Sequence, residues 1–460
     1  MRPLPLSQLA RWTHGRVVGD DIEVAAFATD TRGLDPARRG VLFVALKGER
    51  FDGHDHVDAA SRAGVAAALV SRALDVPVPQ LVVGDTQRAL ADIARGIQAG
   101  RPARRIAVTG SNGKTSVKAL TLSILEVAAG DAPGAAYATP GNRNNEIGLP
   151  LAVIDAPEQA AYALYEMGTG APGDIAYLTA IVRPDVALVN NVAPAHLERM
   201  GTLLEIANTK AAVYDDLPPD GVAVINADDA FAPYFAERAH GRRLIRFALE
   251  ATGEVTAREL AMDAGGSTFV LDTPAGRTPV RIALPGRHNV RNALAAASIA
   301  LGLGIGLDAI ARGLERARPV EGRLVARTLA SGATLVDDSY NANPGSLAAA
   351  IDTLAGTGTG PAWLVLGDMR ELGDDAPAMH AEIGRRARAA GIARLYTLGD
   401  LSAHAARAFG ADARAFDDHD ALAASLASEL APGVRVLVKG SRGSRMDRVV
   451  KALLQGEGDA

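Results

Sequence analysis

A glycine-rich loop, set between an apolar run and a helix-like segment, constrains the fold of this chain more than any other feature. The apolar run covers residues 106–108, the loop covers 109–116 and the segment covers 117–128. Backbone N–H groups in such a loop, with the positive end of the helix that follows, form a concave anion site. Lys114 and a magnesium ion held by Thr115 would complete that site. The chain is therefore predicted to bind a nucleoside triphosphate, and the contacting residues are Gly110, Ser111, Asn112, Gly113, Lys114, Thr115 and Ser116.

The loop is shorter than the common phosphate-loop pattern. That pattern has a glycine five residues before the second glycine, at the position held here by Val108. Instead, only two residues separate Gly110 from Gly113. The general motif is thus met only in part, and the shortening has to be read together with the rest of the chain.

Composition narrows the class of protein. The 460 residues predict roughly three domains at about 150 residues each, and 48% apolar residues are enough for buried cores. The net charge is −5 with both signs interspersed, which argues against a nucleic-acid partner. Because there is no cysteine, disulfides and thiolate metal sites are excluded. We expect a cytoplasmic protein without a membrane span, since Arg2, Pro3 and Pro5 interrupt any leader and the longest weakly polar run, 293–307, is shorter than the ~20 residues a span needs.

The order of apolar and helical patterns predicts an α/β protein of three domains. Residues 1–101 combine short strands with a helix at 87–98 and are expected to form a small mixed α/β domain. Residues 102–318 alternate strands and helices, which predicts a parallel sheet around the phosphate loop. Residues 319–460 alternate strands with Ala-rich helices and predict a Rossmann-like domain. Each strand of this third block ends in polar residues, at the edge where open α/β sheets bind ligands.

Several polar residues outside the loop are candidates for chemistry. Glu166 follows an apolar strand and could reach a metal-bound phosphate, or it could be a capping or solvated carboxylate. His196 and Lys210 follow the next strand, and each taken alone could be an ordinary loop histidine or surface lysine. Asn289 and Asn292, on a turn before an Ala-rich helix, could present an amide to a purine edge.

Arg323 lies on the linker between the second and third blocks, where its guanidinium could clamp a phosphate when the domains close, or could be an ordinary surface arginine. The alternating histidines of residues 53–56 suggest a metal site, but no third ligand of suitable spacing lies nearby.

Lysine and asparagine are both scarce. There are six lysines among 48 lysines and arginines, and twelve asparagines that cluster mainly as close pairs. This composition is typical of a GC-rich coding bias. A lysine or asparagine that persists under such a bias is more often retained for a chemical reason.

Taken together, these residues resemble the Mur ligase family of cytoplasmic peptidoglycan enzymes over nearly the whole chain. The resemblance rests on the short loop, on Glu166 and His196, and on the Gly-x-His-Asn-x-x-Asn pattern of residues 286–292. It implies that ATP is bound with two magnesium ions and that Lys210 is carbamylated by carbon dioxide to become a metal ligand. It further implies that Asp338 holds the ATP ribose and that Arg323 contacts phosphate. By this resemblance the catalytic residues are Lys114, His196 and Lys210, the metal ligands are Thr115, Glu166, His196 and Lys210, and Asn289 and Asn292 belong to the ATP site.

Within the family, the strings at 139–148, 337–344 and 367–373 resemble the member that joins D-alanyl-D-alanine to UDP-N-acetylmuramoyl-tripeptide through an acyl phosphate. Residues 1–101 then resemble a domain for the UDP-sugar, and 319–460 would bind the dipeptide after closing about 318–323. A monomer is expected. The implied substrate-binding residues are Thr31, Arg32, Lys47, Thr139, Asn142, Asn144, Asn145, Tyr340, Asn343, Ser346, Lys439, Ser441 and Arg442.

Other functions remain open from the sequence. Another ligase of this family, such as the enzyme that adds the third stem residue or a folylpolyglutamate synthase, would share the phosphate loop, Glu166, His196 and Lys210. A nucleotide-binding protein without catalysis and a phosphotransferase are the remaining alternatives. The asparagine-rich strings favour the ligase that adds D-alanyl-D-alanine over these alternatives.

Overall fold

The structure is a computed structural model that describes residues 1–35, 37–194 and 197–455. Within these residues the strands form three large sheets and one small two-stranded sheet, and helices cover the faces of the large sheets. The architecture is mixed α/β, as the alternation of patterns predicts. No helix of the described residues is long and apolar enough to cross a membrane.

The N-terminal sheet is built from the first hundred residues. Its strand order is β2-β7-β6-β5-β4, with β2 antiparallel and the others parallel, while β1 and β3 pair separately. The elements are β1 (Leu4–Pro5), α1 (Leu6–Thr13), β2 (Arg16–Val18), β3 (Glu23–Val24), β4 (Ala26–Ala28), β5 (Val41–Val44), α2 (Val57–Arg62), β6 (Ala67–Val70), β7 (Gln80–Val82) and α3 (Thr86–Ala99).

The central sheet follows, with strand order β16-β15-β14-β13-β12-β11-β8-β10-β9. Its elements are β8 (Arg104–Thr109), α4 (Lys114–Ala128), β9 (Ala136–Ala138), α5 (Gly148–Asp155), β10 (Tyr162–Glu166), α6 (Asp174–Val182), β11 (Val186–Val189), α7 (Leu197–Met200), α8 (Leu203–Ala211), β12 (Val222–Asn226), α9 (Ala232–Arg238), β13 (Arg243–Ala248), β14 (Val255–Asp263), β15 (Gly266–Thr273), β16 (Gly276–Ile282), α10 (Arg287–Gly302) and α11 (Leu307–Arg316).

The C-terminal sheet has strand order β17-β18-β22-β19-β20-β21, parallel except for the antiparallel edge strand β17. Its elements are β17 (Val325–Thr328), β18 (Thr334–Asp338), α12 (Pro344–Gly356), β19 (Ala362–Gly367), α13 (Ala376–Ala389), β20 (Arg394–Leu398), α14 (Ser402–Phe409), β21 (Ala413–Phe416), α15 (His419–Glu429), β22 (Arg435–Lys439) and α16 (Asp447–Gln455).

The central sheet is parallel around the phosphate loop, as predicted, but one of its edges is antiparallel. Strands β14, β15 and β16 pair antiparallel. Strand β15 alternates buried and half-buried residues, which is the pattern of a strand with one face on a core. Residues 106–108 of β8 and the whole of β11, by contrast, are buried and continuously apolar, which is the pattern of parallel strands covered on both faces.

The phosphate loop lies where the strand order of the central sheet reverses. Strand β8 has β10 on one side and β11 on the other, and the chain crosses to opposite sides of β8 after successive helices. Ligands of open α/β sheets bind in the crevice at this point. The carboxyl ends of β8, β10, β11 and β12 therefore converge on one edge, which includes Thr109, Glu166 and Asn226.

The helix that follows the loop is fixed by unusually close packing. Helix α4 packs against α11 at Gly313, where an added Cβ would lie 2.4 Å from Cα of Ile124 and 2.8 Å from its backbone nitrogen. Ser123 Oγ also donates a 2.7 Å hydrogen bond to the carbonyl of Gly313. The absence of a side chain at 313 thus sets the position of α4 and, with it, the phosphate loop.

We expect Gly313→Ala to destabilise the protein by about 1–3 kcal/mol, because the clash is with backbone and cannot be relieved by a rotamer change. Gly356→Ala is the matched control, since nothing lies within 4 Å of a Cβ at that helical glycine. Thermal unfolding of both variants measures the difference. Equal melting temperatures would show that α11 does not hold α4 at this point.

Candidate active site

A cleft of about 830 Å³ lies between the central and C-terminal sheets. The phosphate loop, Glu166, the start of α10 and the linker at 318–324 line one side of it. The ends of β18 and β22, with the residues that lead into α12, line the other side. Residues from two sheets therefore share one site.

Glycine is required at both ends of the short loop. Gly110 has φ 151° and Gly113 has φ 78°, which other residues rarely adopt. A Cβ at Gly113 would lie 2.5 Å from Oδ1 of Asn292 and 2.6 Å from Nδ2 of Asn190. Lys114 begins α4, and its Nζ donates a 2.7 Å hydrogen bond back to the carbonyl of Gly110. The ammonium is thus held over the space that the loop encloses.

Side-chain amides hold the apex of the loop. The backbone N–H of Asn112 donates to Oδ1 of Asn191 at 2.8 Å, and its carbonyl accepts from Nδ2 of Asn190 and of Asn191. Ser111 Oγ donates to the carbonyl of Ala193 and accepts from its N–H, both at 3.0 Å. The paired asparagines after β11 therefore fix the loop in a preformed shape. Thr115 and Ser116 continue along α4 and also line the cleft.

The cations of the site have perturbed acid–base properties. Burial lowers the pKa of the Lys114 amine, Glu166 raises it and Arg323 lowers it further. Lys210, in α8, is 2% exposed, and burial together with the positive charge of Lys114 holds its pKa well below the usual lysine value. Among the described residues, none forms a hydrogen bond or ion pair with Nζ of Lys210. Burial of this kind favours the neutral amine over the ammonium.

Glu166 ends β10 with a charged carboxylate. Burial alone would raise its pKa, but Lys118, Lys114 and the Asn144 amide outweigh burial, so the pKa of Glu166 lies below its ordinary value. Nδ2 of Asn144 donates to Oε1 at 2.8 Å, and the Glu166 N–H donates to Oγ1 of Thr139 at 3.0 Å. Oε2 is buried and accepts no hydrogen bond, although the Lys118 ammonium lies 3.1 Å away.

Lys118 is a site residue that the sequence reasoning did not assign. Its Nζ donates to the carbonyls of Thr139 and Gly141, at 3.0 and 2.8 Å, and forms the ion pair with Glu166. It therefore ties α4 to the loop after β9 and to the end of β10. Two signals could have found it: lysine is scarce in this chain, and Lys118 lies one helical turn after Lys114.

The linker arginine reaches the phosphate loop. Nη2 of Arg323 donates a 3.0 Å hydrogen bond to Oγ1 of Thr115, and its guanidinium lies 4.5 Å from the centre of the Tyr340 ring. The Arg442 guanidinium lies 5.6 Å from the centre of the same ring. Tyr340 is therefore close to two arginines, and Arg323 bridges the two sides of the cleft.

The two amides near the start of α10 differ from the expectation. Asn289 and Asn292 lie within the helix rather than on a turn before it, and both are buried. Nδ2 of Asn289 donates to the carbonyl of Pro285, and Oδ1 of Asn292 accepts from Nδ2 of Asn190. Asn292 thus braces the loop, while both residues still line the cleft. His288, beside them, has its pKa lowered to about 4 by burial and by the charges of Lys439 and Arg291.

Opposite charges meet where β18 and β22 end. Nζ of Lys439 lies 2.6 Å from Oδ2 of Asp338 and also donates to the carbonyl of Asn341. Burial raises the pKa of Asp338, while Lys439 opposes the rise. Lys439, which was expected to bind substrate, is therefore neutralised by a partner within the protein.

Three other candidates of the C-terminal part also have structural partners. Ser346 and Asn343 form the capping box that begins α12. Oγ of Ser441 accepts from the N–H of Arg370 and donates to the carbonyl of Ala342. Asn343 and Ser346 line the cleft, whereas Ser441 and Arg442 are not among its lining residues.

The remaining candidates are distributed around the molecule. Asn145 lines the cleft, and its Oδ1 accepts from the N–H of Gly148, whereas Asn142 is exposed and lies outside the cleft. Lys47 lines a second cavity of about 570 Å³, whose wall includes Tyr177 of the central part. Thr31 and Arg32 line neither cavity, and Arg32 pairs with Asp30.

His196 lies outside the described residues. Among those described, no group of three or more histidines, aspartates or glutamates could hold a metal by itself.

Three family models match successive parts of this chain. The Mur ligase family catalytic domain matches residues 28–101, the Mur ligase middle domain matches 108–300, and the Mur ligase glutamate ligase domain matches 322–442. The chain belongs to the Mur ligase family. Within this family, the short phosphate loop and the Glu166 carboxylate both fall in the part matched by the middle-domain model.

Individual Mur ligases match almost the whole length. The UDP-N-acetylmuramoyl-tripeptide–D-alanyl-D-alanine ligase of Escherichia coli K12 is 42% identical, with 98% of this chain and 99% of that protein covered. MurF of Acinetobacter baumannii superposes with a TM-score of 0.92 at 32% identity, covering 99% of both chains. The MurF ligase of Thermotoga maritima, solved in complex with ADP, superposes with a TM-score of 0.83 at 28% identity, covering 94% and 97%. The chain thus has the three-domain fold of MurF structures.

Loss of Lys118 should leave an uncompensated buried charge. We expect Lys118→Met to destabilise the protein by about 3–5 kcal/mol, the usual cost of breaking a buried ion pair from one side. Lys451→Met is the matched control, because Lys451 pairs with Asp447 at 2.9 Å on the surface and such pairs contribute about 0–1 kcal/mol.

Denaturant unfolding measures both effects. Adding Glu166→Gln to Lys118→Met should restore part of the lost stability, since it removes the orphaned charge. If Lys118→Met were as stable as Lys451→Met, the ion pair would have no structural role.

Proposed function

We propose that this chain is an ATP-dependent ligase that joins D-alanyl-D-alanine to UDP-N-acetylmuramoyl-tripeptide. The observation that carries the proposal is a single cleft in which a phosphate loop on one sheet faces the strand ends of another. Such a cleft lets a phosphoryl donor and an amine acceptor be held on separate parts and then brought together. The matching relatives in Escherichia coli and Acinetobacter baumannii support the choice, because each matches the chain from end to end.

The chemistry follows from the substrates. A free carboxylate is a poor electrophile, so a carboxylate oxygen attacks the γ-phosphorus of ATP, ADP leaves and an acyl phosphate forms. The amine of D-alanyl-D-alanine then attacks the acyl carbon, giving a tetrahedral intermediate that loses a proton and expels phosphate to leave an amide. Positioning and electrostatic stabilisation supply most of the acceleration in such a reaction.

Positive side chains make the first step possible, because a carboxylate and a triphosphate repel each other. Lys114 and Arg323 lie at the phosphate loop. Arg199 and Arg318 add further positive charge around the same cleft and were not assigned from the sequence. Arg291 also lines the cleft, but it is paired with Asp228. These cations would lower the repulsion between the reacting anions and stabilise charge that develops during transfer.

The residues of the site fit magnesium. Oε2 of Glu166 is buried and accepts no hydrogen bond, although Lys118 lies 3.1 Å away, so a further cation could bind this oxygen. Carboxylate and hydroxyl oxygens suit this metal, which usually completes its shell with phosphate oxygens and water. We propose that Thr115 and Glu166 would hold magnesium together with ATP, and that Lys210 and His196 would be ligands of a second ion. When bound, magnesium supplies charge neutralisation on the phosphates.

We also propose that Lys210 is carbamylated. Its support is the environment of the amine, which is buried, has a lowered pKa and has no hydrogen-bond partner among the described residues. An unprotonated amine adds to carbon dioxide and loses a proton, and the product carries a negative charge beside Lys114. This change would replace a repulsive pair of amines with an attractive pair.

The substrates would be divided between the parts of the molecule. Lys47 and the second cavity are proposed to bind the UDP-sugar, and Asn144 and Asn145 to hold the stem peptide, because these two line the cleft next to Glu166. Asp338 is proposed to contact the ATP ribose. Since Lys439 is paired with Asp338, the dipeptide site would depend more on Tyr340 and its neighbours than on a lysine.

The other readings are less well supported. A different Mur-type ligase or a non-catalytic nucleotide-binding protein would not explain relatives named for the tripeptide ligase over nearly the full length. We propose a monomer in the cytoplasm, where ATP and nucleotide-linked precursors are available.

Phosphate release by purified protein tests the reaction. We expect rapid release when ATP, magnesium, UDP-N-acetylmuramoyl-tripeptide and D-alanyl-D-alanine are all present, and little when any one is omitted, because phosphate is expelled only when the amine attacks. Mass spectrometry of the product should show the pentapeptide. Equally fast release without the dipeptide would contradict the proposal.

Lys210→Ala tests the carbamate. We expect loss of most activity and partial recovery with added formate or acetate, because a small carboxylate can occupy the space left by the side chain. In the wild-type enzyme, labelled bicarbonate should give a carbamate carbon signal by NMR that is missing from Lys210→Ala. A wild-type enzyme without that signal, or a fully active variant, would remove the modification from the proposal.

A further inference from the structure

One hydrogen bond joins the apex of the phosphate loop directly to the C-terminal part of the molecule. Nδ2 of Asn343, at the start of α12, donates to Oδ1 of Asn112 at 2.7 Å across 231 positions of sequence. The bond does not belong to either sheet or to any helix. It is therefore a contact that exists only while the two sides of the cleft are together.

The capping box of α12 fixes the orientation of the Asn343 amide. Its Oδ1 accepts from the N–H of Ser346 at 2.9 Å, and its own N–H donates to Oγ of Ser346 at 3.1 Å. Because Oδ1 is committed to the helix, the NH₂ group must point away from it. The only hydrogen bond it makes among the described residues is the one to Asn112.

The position of Asn112 in the loop is fixed as firmly as that of Asn343 in its helix cap. Its backbone is held on both sides by Asn190 and Asn191, as described above, so Oδ1 is the group left to meet another part of the molecule. The C-terminal backbone also approaches closely here. A Cβ at Gly345 would lie 3.4 Å from Nδ2 of Asn112 and 3.5 Å from Cβ of Ala193.

We propose that the Asn112–Asn343 pair is a closure latch that couples the position of the C-terminal part to the phosphate loop. Asn112, predicted from the sequence to bind ATP, would then act as a positioning residue whose side chain bonds to Asn343 only when the domains are closed. The acyl phosphate and the amine can react only in the closed arrangement. The latch therefore sets the fraction of enzyme that is competent for the second step.

This inference rests on the proposed function for its kinetic readout only. A neutral hydrogen bond contributes enough to change the closed population by roughly 2- to 10-fold. We expect Asn343→Ser to lower kcat/KM for D-alanyl-D-alanine by that factor, since serine keeps a good helix cap but is too short to reach Asn112. ADP affinity, measured by calorimetry, should stay at the wild-type value.

Comparison of variants separates the latch from the cap. Asn343→Ala loses both, so it should also lower the melting temperature, whereas Asn343→Ser should not. Asn112→Ala removes the acceptor, and the double variant Asn112→Ala, Asn343→Ser should be no worse than either single variant. Asn208→Ser is the matched control, because Oδ1 of Asn208 accepts only from Tyr234 within the central part.

Small-angle scattering gives a readout that does not depend on the reaction. With ADP and UDP-N-acetylmuramoyl-tripeptide, the latch variants should have a larger radius of gyration than the wild type and Asn208→Ser. Wild-type scattering and kinetics in Asn343→Ser, or additive losses in the double variant, would overturn the latch. If phosphate release by the wild type did not depend on the dipeptide, the proposed function would be wrong. If the latch variants nevertheless had a larger radius of gyration, the latch would still stand.

Discussion

The shape of the phosphate loop depends on side-chain amides from outside the loop as well as on its own glycines. Asn190 and Asn191 engage the backbone of Asn112, and Asn292 meets Asn190 beside Gly113. An amide can donate and accept at once, so it satisfies loop groups that no strand or helix reaches. The loop is consequently rigid before any nucleotide arrives, which avoids an ordering cost on binding.

Charge balance is the second constraint on the site. Glu166 is buried among Lys114 and Lys118, and these cations keep it ionised although burial opposes ionisation. Lys118 Nζ also donates hydrogen bonds to two carbonyl oxygens, and its ion pair with Glu166 leaves Oε2 without a hydrogen bond. The arrangement stabilises one negative charge inside the protein and leaves it incompletely satisfied, which is the electrostatic condition that favours binding of a further cation.

The sequence predicts more of the helices and strands than of the pairs that strands and side chains form with one another. Continuous apolar runs identify strands such as β8 and β11 because parallel strands are buried on both faces. The antiparallel edge was missed, since the exposed strand β14 has no such run. The loop, Glu166 and Arg323 are brought to one cleft as expected, yet the role of Lys118 could not be read from local pattern because its partners come from β10 and the loop after β9.

The strand ends of the C-terminal sheet show why the location of a residue can be predicted from the sequence when its role cannot. Parallel strands bring their carboxyl ends to one edge, so a polar residue after each strand correctly predicts where Asp338 and Lys439 lie. It does not predict that β18 and β22 are neighbours, which depends on the order of strands 101 residues apart. Adjacent strands place opposite charges at 2.6 Å, and each then neutralises the other. A lysine that would bind a substrate carboxylate on an isolated strand instead fixes the wall of the cleft.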